Sequence, residues 1–352
     1  MHFVRTITTS LLGLAFAAAP LAAAPVADAR DKGAGLGQEQ VKLDNNTEQI
    51  IKGALKYLAS KQNGNGSWAT GSGEQQEVAM TGYVLVAFLA AGQLPDEGEF
   101  GKNVTSGMNY LLNMVRPDGT MGRHGHYMYG HGIASIALAE IYGQTRDPRM
   151  RPKLEQVIKL IIQSQNREGG WRYNPGATDA DISVTVLQVV ALRAAKNAGL
   201  EVPQQTIDRA VNYVRTCHNE RSGGFTYQPR NNDPGFARTA AAIYSLQVCG
   251  QYDDPRVKAG VTYLHKNKTD RQWFTYGHFY AAPAMYMVGG DDWKNWYTEM
   301  SKMLLEKVKH QGDMAYWEPH WDGGRGVGPV YCTAVYSMIL SMPYHYLPLY
   351  QR

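Results

Sequence analysis

The chain has 352 residues, of which 44% are hydrophobic and 19% are charged, and its formal net charge at pH 7 is +4. This charge is small and is not gathered into a run of Arg and Lys, which argues against a nucleic-acid partner. The three cysteines are an odd number, which excludes a disulfide scaffold, and the length exceeds what most single cores bury.

Residues 1–29 have the features of a secretory signal peptide. Arg5 supplies a positive charge, residues 11–19 are apolar, and small-residue cleavage sites follow. The apolar run is shorter than the ~20 residues that a spanning helix needs. We therefore expect a cleaved leader, a secreted or periplasmic protein and no stable membrane span. Residues 30–45 are rich in Gly, Gln and Lys without periodicity and are interpreted as a linker.

One turn motif recurs after the linker. It is QNGNGSW from Gln62, QNREGGW from Gln165 and NERSGGF from Asn219, and a degenerate copy, RPDGTM, begins at Arg116. A period of roughly 50 residues is typical of a repeat architecture. The chain is therefore predicted to be a repeat protein.

Each turn lies between two helical patterns. The helix before it has one polar face, as in residues 54–58, whereas the helix after it is apolar nearly all round, as in residues 183–195. A hairpin of this kind cannot bury its apolar helix alone, so the copies must stack. We predict one all-α domain over residues 46–352, an (α/α)6 toroid of six helical hairpins. The hairpins are predicted at about residues 49–98, 104–147, 154–203, 206–254, 256–292 and 300–352.

Large apolar residues occupy the same place in each predicted turn. We expect them to pack between neighbouring repeats and to set the spacing of the ring. They are Trp68, Met121, Trp171, Phe225, the pair Trp273 and Phe274, and Trp317. The tail, residues 343–352, is predicted to cross one end of the ring as a strap.

The motif Gln-x-x-x-Gly-x-Trp within helical hairpins resembles the QW-type repeat of the terpenoid cyclase and protein prenyltransferase family. The resemblance covers nearly everything after residue 48 and implies an exported single-toroid member. It implies a substrate cavity inside the ring, at the end where the turns enter the second helices. It does not fix an activity, because thioester domains and carbohydrate-active enzymes use similar toroids.

A tripeptide repeated three hairpins apart is the first candidate site. Tyr129 and His131 recur as Tyr276 and His278, and on a six-fold ring the two copies should face each other across the cavity. The histidines would then be candidate proton shuttles and the tyrosines hydrogen-bond donors. The alternative is that Gly-His only begins an inner helix well in both copies.

The second candidate site begins at Thr178. Bacterial squalene-type cyclases carry an Asp-x-Asp-Asp-Thr motif whose carboxylic acid protonates an alkene. Asp179 and Asp181 match its first two aspartates, Ser183 stands for the threonine, and Ile182 replaces the third aspartate. The resemblance makes Asp179 and Asp181 candidate acids. The alternative is an N-cap for the following helix.

Polar and aromatic residues near the starts of the second helices are the predicted substrate contacts. An apolar, tyrosine-rich cavity would suit an isoprenoid or another apolar small molecule. The predicted contacts are Tyr129, Tyr276, Tyr280, Tyr331 and Arg238. The same tyrosines also serve as filling for the centre of a ring.

No cofactor or metal is predicted. The Asp-x-Cys pair that holds zinc in protein prenyltransferases is missing around Cys217, Cys249 and Cys332. His124 and His126, with His131, remain an alternative metal cluster, and a disulfide between Cys217 and Cys249 is left open.

Three functions are consistent with the sequence. The first is an exported toroid that binds or transforms an isoprenoid-like lipid by acid catalysis, and the second is an exported binding or scaffold toroid without catalysis. The third is a carbohydrate-active barrel, in which Glu74, Glu77, Asp179 or Asp233 would form an acid/base pair. The oligomeric state is left open.

Overall fold

The structure is a computed structural model that describes residues 41–69, 74–121, 127–320 and 327–350. These segments contain twelve α-helices, one short β-hairpin and two 3-10 turns. The helices are α1 (Asn45–Ser60), α2 (Glu74–Ala90), α3 (Gly101–Met114), α4 (Met128–Thr145), α5 (Arg151–Gln163), α6 (Ile182–Asn197), α7 (Gln204–Thr216), α8 (Phe236–Val248), α9 (Pro255–Lys266), α10 (Phe274–Val288), α11 (Gly290–Lys307) and α12 (Pro329–Ser341).

The even-numbered helices form a closed inner ring. Each packs on the next, from α2 on α4 through to α10 on α12, and α12 packs back on α2. The odd-numbered helices lie outside them, each in a hairpin with the inner helix that follows. The predicted (α/α)6 toroid of six hairpins is confirmed.

Burial follows the apolar pattern of the two helix types. In α4, 14 of 18 residues are buried, because this helix contacts neighbours on every side. In α5, only four of 13 residues are buried, all on one face. Burial of the inner helices against each other and against the outer layer is what holds the ring closed.

The recurring turn residues lock each hairpin. The indole Nε1 groups of Trp68, Trp171 and Trp317 each donate to a carbonyl near the end of the preceding outer helix, at 2.6, 2.7 and 2.8 Å. The backbone N–H of the same three residues donates to a threonine hydroxyl in the following inner helix, at 3.0 to 3.2 Å. The predicted packing role is confirmed for the buried anchors, but it is wrong for Trp273, which is 47% exposed and leaves Phe274 as the buried member of its pair.

The turn glutamines link one repeat to the next. Gln165 Nε2 donates to the carbonyl of Thr206 in the next outer helix at 2.8 Å, and Gln62 donates to that of Asn103 at 2.9 Å. Gly169 has a φ of 97°, and a Cβ there would lie 2.3 Å from the carbonyl oxygen of Arg209. Glycine is required at this point because only it combines that φ with so close an approach.

The last hairpin departs from the regular pattern. α11 begins directly after α10, ten residues before the predicted start of the repeat, and is followed by β1 (Lys309–Gln311) and β2 (Met314–Tyr316). The β-hairpin was not predicted. It contacts α1, with Tyr316 stacked on Tyr57 at 4.8 Å, and so fills the seam between the last repeat and the first.

The tail covers the far end of the ring, as predicted. Two 3-10 turns, Met342–Tyr344 and Pro348–Tyr350, contact the inner helices α6, α10 and α12. Leu347 and Leu349 are buried there. This end is opposite the N-terminal ends of the inner helices.

The chain divides into two units, residues 1–34 and 35–352. Every described residue belongs to the second unit, so the predicted leader and most of the linker lie outside the described residues.

Asp44 caps α1 by accepting from the backbone N–H of Thr47 at 2.7 Å. None of the helices in the described ranges is long and apolar enough to cross a bilayer.

Candidate functional site

The N-terminal ends of the inner helices meet at one end of the ring, which we call the mouth. Aromatic side chains from α2, α4, α10 and α12 contact one another there and fill the middle of the ring. We call this group the tyrosine cluster, and it consists of Tyr83, Tyr129, Tyr276, Phe279, Tyr280 and Tyr331.

The tyrosine cluster joins opposite sides of the ring. Tyr83 and Tyr129 share a hydrogen bond between their hydroxyls at 2.7 Å, and the ring centres of Tyr129 and Tyr276 lie 6.2 Å apart. Burial raises the pKa of each of these phenols well above its usual value, so they are neutral. Neutral aromatic faces are suited to apolar chains and to developing positive charge.

The Tyr280 hydroxyl lies inside this cluster. The Tyr280 ring lies 4.9 Å from the ring centre of Tyr276 and 5.0 Å from that of Phe279. Tyr129 and Tyr276 are only half-buried, whereas Tyr280 and Tyr331 are buried. The cluster therefore presents two tyrosines at the mouth above a buried aromatic layer.

Asp181 lies beside the cluster at the start of α6. It is 0% exposed and caps the helix, because its Oδ1 accepts from the backbone N–H of Val184 at 2.9 Å and from the Ser183 hydroxyl. Its Oδ2 lies 3.1 Å from Nη1 of Arg172. The N-cap interpretation is confirmed, and the carboxyl has a cationic partner as well.

Burial raises the pKa of the Asp181 carboxyl above its usual value, and the surrounding hydrogen bonds and the Arg172 charge lower it only in part. A buried carboxyl with a raised pKa is the environment expected of a general acid. Ser183 connects it to the cluster, since the Tyr276 hydroxyl donates to the Ser183 carbonyl at 3.4 Å.

Arg172 is held between two tyrosine rings. Its guanidinium lies 5.4 Å from the ring centre of Tyr173 and 5.5 Å from that of Tyr227. Its Nε is 3.5 Å from Oδ2 of Asp179, whose side chain is 55% exposed. Asp179 therefore lies at the edge of the site, and Asp181 is the buried member of the pair.

Sequence analysis missed Arg172, Tyr173 and Tyr227. A signal for them exists, because Tyr173 and Tyr227 each follow a turn anchor by two residues, in Trp-Arg-Tyr and Phe-Thr-Tyr. Equivalent positions in adjacent repeats lie side by side in a toroid. The repeat alignment that located the anchors also brings these two tyrosines together.

The two histidines do not meet across the ring. His131 Nε2 lies 3.0 Å from the carbonyl of Gly119 in the turn before α4. The His278 ring packs against Phe236 and near Trp296 of the outer α11. Residues two apart on a helix differ by about 200° in direction. The tyrosine of each tripeptide therefore faces inward, and the histidine faces the outer layer.

The surroundings of His278 fit a packing role. Its Nδ1 lies 2.9 Å from the carbonyl of Phe274, and burial lowers its pKa to about 4. It is therefore uncharged near neutral pH. The hydrogen bonds described for His131 and His278 reach the backbone carbonyls of Gly119 and Phe274 and do not reach Asp181.

The remaining candidates are dispersed. Arg238 pairs with Asp233, 2.9 Å from Nη1 to Oδ2, and Glu77 accepts from the Tyr110 hydroxyl at 3.0 Å. His124, His126 and the Glu74 side chain lie outside the described residues. In the described ranges no three His, Cys, Asp or Glu side chains group as a metal site. Cys217 and Cys249 are free thiols and do not pair.

Comparison with known proteins places this fold among characterised ones. The sequence matches the profile of the Prenyltransferase alpha-alpha toroid domain over residues 36–197, 131–275 and 179–343. A drimenyl diphosphate synthase from Streptomyces showdoensis is 28% identical over 184 residues, which are 51% of this chain and 32% of that protein. The match thus spans about a third of that relative's length.

Solved structures share the toroid at low sequence identity. A type II terpene cyclase from Scytonema superimposes with a TM-score of 0.58 at 16% identity, over 86% of this chain and 100% of that one. An alpha-1,6-mannanase of a Salegentibacter species gives a TM-score of 0.64 at 7% identity, over 85% and 99%. These likenesses concern the fold alone.

Proposed function

The chain belongs to the prenyltransferase alpha-alpha toroid family, and we propose that it binds an isoprenoid-like chain at the mouth and protonates an alkene of that chain with Asp181. One observation carries the proposal: a carboxyl with no exposed surface lies next to the tyrosine cluster, at the position that matches the acid motif of squalene-type cyclases. A related type II terpene cyclase holds geranylgeranyl dihydroxybenzoate as its substrate, which supports an isoprenoid chain as the ligand class.

The chemistry begins with the protonated Asp181. Its O–H proton passes to one alkene carbon, the π electrons form the new C–H bond, and the other carbon becomes cationic. A second alkene of the chain attacks that carbon and closes a ring, and the final cation loses a proton to water. The faces of Tyr129 and Tyr276 stabilise the positive charge, because an aromatic face is electron-rich.

Arg172 and Ser183 support the carboxylate that remains after proton transfer. Both contact Asp181 oxygens, and charge-assisted hydrogen bonds of this kind are the strong ones. Ile182 stands where the related motif has a third aspartate, so here these two residues, in place of a second acid, stabilise the conjugate base. His131 and His278 take no part, since both face the outer layer.

Turnover in D₂O tests the proposal. Purified protein is incubated with geranylgeranyl dihydroxybenzoate or geranylgeraniol, and products are analysed by mass spectrometry. We expect a cyclised product with one carbon-bound deuterium, and none from Asp181→Asn. The matched control is Asp254→Asn, which changes another buried N-cap aspartate that pairs with an arginine, at 2.8 Å from Arg215. Absence of product, or equal product from Asp181→Asn, would contradict the proposal.

A non-catalytic binding toroid is the second candidate. It is favoured by the tyrosine rings that fill the middle of the ring and by the capping role of Asp181. Binding of geranylgeraniol without any product would select it. A carbohydrate-active barrel has less support, because Asp179 and Asp181 share the guanidinium of Arg172 whereas glycosidases place two carboxyls about 5–10 Å apart across the bond.

We also propose export. Support comes from the leader pattern of residues 1–29. N-terminal sequencing of protein produced with its leader in a bacterial host checks this. A mature chain that begins between residues 23 and 30 is expected, and an intact Met1 in a cytoplasmic fraction would contradict export.

A further inference from the structure

Gln228 joins two neighbouring loops at the mouth. It lies three residues after the fourth turn anchor, and its Nε2 donates to the carbonyl of Ala180 at 2.8 Å and to Oδ2 of Asp179 at 3.2 Å. A backbone hydrogen bond joins the same two loops, because the N–H of Ile182 donates to the carbonyl of Tyr227 at 3.0 Å. The loop of the fourth repeat is thus fastened to residues on both sides of the buried acid.

The main chain at Gln228 is itself held in place. The hydroxyl of the buried Thr226 lies 2.8 Å from the carbonyl oxygen of Gln228 and 3.0 Å from that of Cys217, just after α7. The backbone N–H of Asn231 donates to the Gln228 carbonyl at 3.3 Å. The Gln228 amide therefore extends from a hydrogen-bonded backbone, which favours one orientation of the side chain.

Asp179 and Asp181 share one cation. Nη1 of Arg172 lies 3.1 Å from Oδ2 of Asp181, and its Nε lies 3.5 Å from Oδ2 of Asp179. The rings of Tyr173 and Tyr227 restrict the guanidinium between them. A guanidinium that is shared between two carboxylates stabilises the ionised form of each less than an unshared one does. The acid therefore experiences only part of the Arg172 charge while Asp179 stays in place.

The other titratable groups around Asp181 are neutral or screened. Burial raises the pKa of each neighbouring phenol and thiol above its usual value, so none of them is charged near pH 7. They are Tyr127, Tyr213, Cys217, Tyr227 and Tyr276. Glu168 is charged but exposed, and solvent screens its charge. In the described part of the chain, Arg172 and Asp179 are thus the charges that set the protonation of Asp181.

We propose that Gln228 is a positioning residue for the acid, because it keeps Asp179 beside Arg172. The shared guanidinium then leaves Asp181 protonated over a wider pH range. This inference rests on the proposed function. Without the Gln228 amide, the Asp179 side chain, which is 55% exposed, turns into solvent. The whole guanidinium charge then acts on Asp181 and favours its carboxylate form.

The sign of the effect follows from the role of the acid. Activity that needs protonated Asp181 falls as the pH rises through the pKa of that carboxyl. An unshared guanidinium lowers this pKa, so Gln228→Ala should move the midpoint of the fall to lower pH, by about half a pH unit or more.

Two further variants check the direction. Asp179→Asn removes the second carboxylate itself and should also move the midpoint to lower pH. It changes an exposed side chain, so it covers the case that Gln228→Ala does not fold. Arg172→Gln removes the cation and should move the midpoint to higher pH, because the ionised form of Asp181 then loses its partner.

The midpoint is measured in two ways. The first is the rate of product formation from geranylgeranyl dihydroxybenzoate over a series of pH values. The second needs no substrate: infrared difference spectra between each protein and the same protein carrying Asp181→Asn follow the protonation of this one carboxyl. Both midpoints should fall together in Gln228→Ala.

Gln204→Ala is the matched control. Gln204 also donates to an aspartate, Oδ1 of Asp208 at 2.9 Å, but this pair is exposed on the outer helix α7. Its removal should leave both midpoints at their wild-type values.

The outcomes separate the two proposals. Unchanged midpoints in Gln228→Ala and Asp179→Asn would overturn the positioning role while leaving Asp181 as the acid. A wild-type protein that forms no product, with an infrared midpoint that still falls in Gln228→Ala, would overturn the proposed function and keep the electrostatic role of Gln228.

Discussion

The ring centres of Tyr129 and Tyr276 lie 6.2 Å apart although their helices, α4 and α10, are on opposite sides of the ring. This contact shows how narrow the toroid is at its mouth. An apolar ligand would therefore lie against tyrosine faces, with the buried carboxyl of Asp181 at one side.

The hydroxyl contact inside the tyrosine cluster should contribute to stability. Tyr83→Phe removes the partner of the Tyr129 hydroxyl, which lies 2.7 Å away. Loss of this partly buried hydrogen bond should cost about 1 kcal/mol. Urea denaturation of the variant should show that decrease in the free energy of unfolding, and an unchanged value would mean that other groups satisfy both hydroxyls.

The turn anchors should be far more sensitive than exposed aromatics. Trp171→Phe deletes an indole N–H that donates to the Ile161 carbonyl at 2.7 Å and leaves a gap in the core. We expect a loss of about 2–4 kcal/mol in the free energy of unfolding. Trp273→Phe is the matched control, because Trp273 is 47% exposed, and it should cost less than about 1 kcal/mol. Equal effects would contradict the assigned anchor role.

The fold was largely predictable from sequence because each turn carries its own copy of the anchor. The recurring turn predicted the six hairpins. The distribution of apolar residues distinguished α4, which is buried on all sides, from α5, which is buried on one face. The β-hairpin between α11 and α12 was not predictable, since it fills a seam that exists only once the ring closes.

The candidate site was predicted less completely. Tyr129 and Tyr276 meet as expected. The direction of the His131 side chain depends on how α4 is rotated about its own axis, and the spacing of the repeats does not determine that rotation. The repeat alignment places Tyr173 and Tyr227 in equivalent loops, but it does not show that the guanidinium of Arg172 reaches Asp181. That contact depends on the path of the loop between Trp171 and α6, and it had to come from the structure.

Buried Glu140 should make stability fall as pH rises. It is 3% exposed, near the tail, and its Oε2 has no hydrogen-bond partner among the described residues. Burial raises its pKa from 4.5 to about 8. The unfolded chain releases this proton more readily than the folded protein does. The stabilisation that comes from the protonated Glu140 carboxyl is therefore complete below about pH 4.5 and is lost progressively up to about pH 8.

Glu140→Gln tests this pH dependence. The variant should be more stable than wild type at pH 8 by several kcal/mol, with the difference shrinking toward pH 4.5, because each pKa unit corresponds to about 1.4 kcal/mol. The groups that face Glu140 are the backbone N–H of Leu349 and the phenols of Tyr244 and Tyr350. Thermal denaturation of both proteins across this pH range measures the difference in stability. A difference that does not change with pH would contradict the prediction.

Asp181→Asn should fold. Asparagine caps helices about as well as aspartate, so the backbone N–H of Val184 keeps its partner. Loss of the ion pair with Arg172 should cost about 1–2 kcal/mol, because Asp181 is buried and Arg172 is partly so. Thermal denaturation and circular dichroism check this, and an unfolded variant would mean that the carboxylate is needed for the fold itself.

A crystal structure of Asp181→Asn grown with geranylgeranyl dihydroxybenzoate tests the central claim most directly. We predict a chain bound at the mouth, in contact with the rings of Tyr129 and Tyr276, with one alkene carbon within van der Waals distance of the residue 181 side chain. A chain bound elsewhere on the toroid, or an unoccupied mouth at saturating ligand, would contradict the account.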